Sequence, residues 1–136
     1  MEGLQIEKTD FTPYVYFNPV LNEFIIEGVS RPENVNQFYT AVNDWIAEYE
    51  SQLYKNHVLG GKKFNLHVIF KFSYFNSASA KMIFLLLESL RRIRMMGYIL
   101  DVDWYYEEGD DQMLEDGEEL SEALEIQFNF ITKSAE

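Results

Sequence analysis

Few residues in this sequence could carry chemistry, and their spacing is poor for it. There are two histidines and no cysteine in 136 residues, so disulfides, thiolate nucleophiles and cysteine-ligated zinc are excluded. His57 lies near the Gly60-Gly61 break, and His67 falls on the less apolar phase of an alternating run. No HExxH pair is present, and both histidines read as surface or packing residues. The sequence also lacks a GxxxxGK[ST] loop, a GxGxxG turn and a GxSxG elbow. Among the acids, Asp101 and Asp103 share one face of a predicted strand, and Asp110, Asp111, Glu115 and Asp116 cluster further on. A calcium loop needs oxygen ligands at fixed offsets from a glycine, and neither Gly109 nor Gly117 has them. Paired carboxylates can act as acid and base only where a pocket shifts their pKa values. The expectation is therefore no catalytic residue, no metal site and no cofactor.

The segment Asn76-Ser77-Ala78-Ser79-Ala80-Lys81 is more informative. It joins an apolar strand to an amphipathic helix, with Ser77 placed to cap that helix and Ser79 in its first turn. Helix N-termini carry unpaired N–H groups and a partial positive charge. A phosphate on a hydroxyl there would find hydrogen bonds ready-made and would add about −1.5 to −2 in charge. Serine is also among the best N-caps, so capping alone accounts for Ser77 as well.

The elements that position this segment follow from periodicity. Tyr14–Phe17 and Phe24–Val29 are aromatic and β-branched runs separated by the turn residues Asn18 to Asn22, which predicts a hairpin. Ser30 stands three residues before Glu33, with Pro32 between them, a capping-box pattern. Val35, Phe38, Tyr39, Val42, Ile46, Tyr49 and Leu53 then predict a helix to about Tyr54. Phe64, Leu66, Val68, Phe70, Phe72 and Tyr74 alternate as one apolar face of a long strand. Ala80, Ile83, Phe84, Leu87 and Leu90 return to helical spacing, and Gly97 ends that helix. Tyr98, Leu100, Val102, Trp104 and Tyr106 alternate again. An acidic loop with a short helix is expected over Glu107 to Ala123, and a last strand at Ile126, Phe128 and Phe130. The predicted order is ββαβαβαβ, an α/β domain with a mixed sheet and packed helices, since the strand–helix–strand unit from Phe64 to Tyr106 implies a parallel pair.

Composition sets outer bounds. Hydrophobic residues make up 47% of the chain, which is enough to form a core. The net charge is −12. Twelve acids and no Lys or Arg lie between Met95 and Thr132, and 11 acids and 11 bases make up the remainder. Phosphate backbones would be repelled, so nucleic acid is not an expected partner. With no signal-like apolar run in Met1 to Asp10 and no 18-residue uncharged apolar stretch, no membrane partner is expected and a cytoplasmic location is.

The chain resembles the SiaC-type regulatory phosphoproteins of bacteria over almost its whole length. The resemblance rests on Thr12-Pro13 and the hairpin after it, on Pro32-Glu33-Asn34, on Asp44-Trp45, and above all on Tyr74-Phe75-Asn76-Ser77-Ala78-Ser79-Ala80-Lys81. That last segment is similar to the family's Tyr-Leu-Asn-Thr-Ser-Ser-x-Lys. The resemblance implies a single STAS-like (anti-anti-sigma-factor-like) domain spanning residues 1–136, with Ser77 as phosphoacceptor and Tyr74, Asn76, Ser79 and Lys81 around it. It also implies a non-enzymatic partner switch, phosphorylated by a cognate protein kinase and dephosphorylated by a PP2C-type phosphatase. The unphosphorylated form would bind an output protein such as a diguanylate cyclase.

Overall fold

The computed structural model describes residues 1–134. Six strands form one mixed sheet in the order β1-β2-β3-β4-β5-β6: Leu4–Ile6, Tyr14–Asn18, Glu23–Ser30, Asn65–Phe75, Ile99–Glu107 and Phe128–Lys133. The first two pairings are antiparallel, and those from β3 to β6 are parallel. Three helices make the crossovers: α1 (Val35–Val58), α2 (Ser77–Met95) and α3 (Asp111–Leu124). The predicted mixed α/β architecture holds, with one strand more at the front. β1 has only three residues and no alternation long enough to register in the sequence.

The three crossovers all step the same way along the sheet. Right-handed connections therefore place α1, α2 and α3 on one face. Burial agrees: Leu66, Val68, Phe70 and Phe72 of β4 are buried, while His67, Ile69 and Lys71 on the opposite phase are partly exposed. The core lies between that face and the helices. It is rich in aromatic rings, with Trp104 at 0% exposure among Phe70, Phe72, Phe75 and Phe128. Its indole Nε1 donates to Met113 O at 2.9 Å. Gly117 of α3 lies directly over the indole, where a Cβ would approach Nε1 to 2.5 Å.

Three local expectations are corrected. Ser30 does not begin α1. It ends β3, fully buried, and Asn34 caps the helix through its side chain to Gln37 N at 3.0 Å. Tyr74 does not continue the apolar face of β4, because the β3–β4 register shifts from Gly28↔Phe72 to Val29↔Tyr74. The extra residue, Ser73, flips the phase. Tyr74 points to solvent at 50% exposure, and Phe75 turns inward onto Phe72 and Trp104. Finally, the helix expected in the acidic stretch is present but not short, with 14 residues. β5 runs to Glu107, and α3 begins at Asp111 under an Asp110 cap, with Asp110 Oδ1 accepting from Met113 N at 3.1 Å. Met113, Gly117 and Leu124 give this helix its buried stripe, and its acids face outward.

Candidate functional site

At the strand-to-helix corner after β4, Asn76 and Ser79 are joined by a hydrogen bond, Ser77 and Lys81 are exposed on α2, and Tyr74 is exposed near the end of β4. Asn76, not Ser77, is the N-cap of α2. It has extended backbone angles (φ −86°, ψ 173°), and its side-chain oxygen accepts from Ser79 N at 2.9 Å. Asparagine competes well for a cap because its short amide reaches the third amide of the helix. Ser77 is then the first helical residue, exposed, and among the described residues its side chain makes no hydrogen bond. The first intrahelical bond runs from Ala80 N to Asn76 O at 2.9 Å. The amides of Ser77 and Ala78 therefore precede the helical ladder and point outward from its start. Lys81 is exposed one turn along from Ser77.

Ser79 has a different fate. It is 0% exposed and locked into a buried hydroxyl cluster. Its Oγ donates to Ser30 O at 3.0 Å, and Ser30 Oγ donates to Ser79 Oγ at 2.9 Å. Each hydroxyl has one hydrogen, so the 2.6 Å contact between Tyr39 OH and Ser30 Oγ must be donated by Tyr39. Ser30 O also accepts from Asn76 N at 3.0 Å. Burial holds the Tyr39 phenol above its ordinary range, against the opposing pull of the Ser30 and Ser79 hydroxyls. The cluster ties α1, the end of β3 and the start of α2 to one another. Ser30 and Tyr39 were not anticipated as neighbours of the segment. The signal available was a lone serine at the end of an apolar strand, and sequence spacing gives it an equally good role as a cap.

Beside this corner runs a shallow groove between α2 and α3. It is lined by Phe75, Ala80, Leu120 and Ala123 and rimmed by Asp116 and Glu119. Tyr74 stands exposed at the end of β4. An exposed hydroxyl at a helix start, with a lysine one turn on and a partly apolar groove alongside, can accept a charged modification without disturbing the core.

Comparisons with known proteins agree with this architecture. The chain is 23% identical over 128 residues to an uncharacterized protein of Pseudomonas aeruginosa strain UCBPP-PA14, covering 94% of each. It is similar to the crystal structure of apo-SiaC from Pseudomonas aeruginosa, with a TM-score of 0.77 at 23% identity, covering 98% of this chain and 99% of that one. It is similar also to a chain in the crystal structure of the diguanylate cyclase SiaD in complex with its activator SiaC, from the same organism. There the TM-score is 0.79 at 22% identity, over 96% of this chain and 98% of that one. The model of the SiaC family regulatory phosphoproteins matches residues 6–133, and the chain belongs to that family.

Proposed function

We propose that this protein is a phosphorylation-controlled binding switch, with Ser77 as its phosphoacceptor and no catalytic activity of its own. It acts as one regulatory domain in the cytoplasm. A cognate kinase adds the phosphate and a PP2C-type phosphatase removes it. The unphosphorylated form binds an output protein, and a diguanylate cyclase is the favoured candidate, since a SiaC-like chain is described as the activator of one. The observation that carries this reading is the contrast between two serines two residues apart. Ser77 is exposed with a free side chain, whereas Ser79 is buried and hydrogen-bonded. A kinase reaches Ser77 on the folded protein, but it reaches Ser79 only by unwinding the first turn of α2.

Local electrostatics supply the mechanism. Phosphate at the first helical position would lie beside the amides of Ser77 and Ala78 and within reach of Lys81. The Ser79 amide is already taken by Asn76, and its hydroxyl by Ser30. The modification therefore adds charge and bulk at the surface while leaving the core as it is. A partner seated over the Phe75–Leu120 groove would meet a dianion at the start of α2.

The test is phosphorylation of the purified protein by its cognate kinase, with site mapping by mass spectrometry and partner affinity measured for both forms. Phosphate is expected on Ser77, absent from Ser77→Ala, with weaker binding by the modified form. Phosphate on another residue would overturn the site. Equal affinity of the two forms would leave a constitutive scaffold.

A further inference from the structure

The face of the sheet that carries no helix holds a second constellation, 36 residues apart in sequence at its widest pair. β4 and β5 are parallel with His67 opposite Asp101 and Ile69 opposite Asp103. The two-residue period of β5 puts Asp101 and Asp103 on the same face, and the register brings the His67 imidazole onto that face beside them. One ligand atom from each of the three side chains lies within 4.8 Å of the others. His67 Nε2 and Asp103 Oδ2 are 2.7 Å apart. From β6, opposite Asp103 in register, Asn129 Nδ2 donates to Asp101 Oδ1 at 2.7 Å and to Asp103 Oδ1 at 3.0 Å. On the other side, Glu23 of β3 pairs in register with His67.

We propose that His67, Asp101 and Asp103 form a binding site for a divalent transition-metal ion, with zinc the best match. The chemistry is that of a mixed nitrogen and oxygen donor set. An imidazole with two carboxylates suits zinc, at ligand distances of about 2.0–2.2 Å, better than it suits calcium or magnesium, which take oxygen ligands. Two carboxylates against one divalent ion balance in charge. At present no Lys or Arg forms an ion pair with either carboxylate among the described residues. Among the described residues, their close side-chain partners are an imidazole and one shared neutral amide.

The geometry needs little adjustment. Donors around a tetrahedral ion are about 3.3–3.5 Å apart. The His67–Asp103 pair must open by about 0.6–0.8 Å and the widest pair close by no more than about 1.5 Å, a scale that side-chain torsions alone cover. His67, 42% exposed, and the exposed Asp101 have room to make it around Asp103, which is 14% exposed. Turning the Asn129 amide over would present its oxygen, because the two amide orientations differ only by exchange of O and N. Water would complete the coordination. Bound there, the ion would staple β4 to β5 on the face that no helix covers. This site is independent of the Ser77 corner.

Zinc titration of the untagged protein by calorimetry tests the assignment. One equivalent is expected, with a Kd below about 10 μM, and at a hundredfold excess over Kd a rise in Tm of about 8–13 °C. His67→Ala and Asp103→Asn should each weaken binding at least tenfold, and His57→Gln should leave it unchanged. Cobalt(II) in place of zinc should give the visible bands of a tetrahedral site, lost in His67→Ala, a readout that does not depend on stability. No binding at 100 μM zinc would overturn the proposal. So would binding that survives His67→Ala or follows His57. Far-UV circular dichroism of the metal-free variants confirms that each is folded before titration.

Discussion

Replacing Ser77 by alanine should leave stability within about 0.5 kcal/mol of the parent, while the same change two residues on should be costly. Ser77 is exposed at the first position of α2 and makes no side-chain hydrogen bond among the described residues, and alanine is the better helix former. Asn76→Ala removes the cap bond to Ser79 N and should cost about 0.5–2 kcal/mol. Ser79→Ala removes the acceptor of the Ser30 hydroxyl inside a fully buried cluster, so a donor is orphaned where water cannot reach it. That loss is worth about 1–3 kcal/mol. For a chain of this size 1 kcal/mol moves Tm by about 3–5 °C, so the three variants should separate cleanly in urea or thermal unfolding. A loss above 1 kcal/mol in Ser77→Ala would refute the reasoning, and so would a Ser79→Ala variant as stable as the parent. The order matters for function. If Ser77→Ala carries no structural cost, the loss of phosphate uptake and the constitutive partner binding that the proposed switch predicts would report the hydroxyl and not the fold.

Ser77→Glu should weaken partner binding only in part, measured by calorimetry, because a carboxylate has one charge and fewer acceptor oxygens than a phosphate. Gly117→Ala should destabilise by about 1–2 kcal/mol despite alanine's helix propensity, since the new methyl meets the buried indole ring of Trp104 at 2.5–2.7 Å; chemical denaturation measures it. Alkaline pH should unfold the protein through Tyr39 and Tyr49, whose phenols burial holds above their ordinary range. Above about pH 10 the unfolded chain loses protons that the folded chain keeps, so stability should fall with rising pH by up to about 2.7 kcal/mol per unit. Tyr49→Phe should halve that slope.

The sequence displayed its long elements because each carries a single period. The alternation from Leu66 to Phe72 and the helical spacing from Tyr39 to Leu53 both survive into the structure as buried faces. What it concealed was the exact residue at which one period gives way to the next. Ser73 is one extra residue in β4, and nothing in its type announces the phase change that sends Tyr74 outward and Phe75 inward. Caps were misplaced for a related reason. Ser30 and Ser77 are good cap residues, yet Asn34 and Asn76 took the positions. Local propensity cannot rank two neighbouring candidates when the choice is made by where the strand ends and which serine has a buried partner.

That partner is the link between fold and site. Ser30 and Ser79 are 49 residues apart, and only the parallel β3–β4 register brings them together. Once they meet, the burial of Ser79 fixes the rotation of α2 about its axis. A residue two positions earlier on a helix is turned by about 200°, so fixing Ser79 inward forces Ser77 outward. The exposure of Ser77 is therefore set from the buried side: weakening the Ser30–Ser79–Tyr39 cluster loosens the presentation of the Ser77 hydroxyl at the surface without touching Ser77. Conservative changes separate the two effects. Tyr39→Phe removes only the terminal donor of the chain and keeps the ring that fills the space, whereas Ser79→Ala removes the hydroxyl that holds the helix against β3.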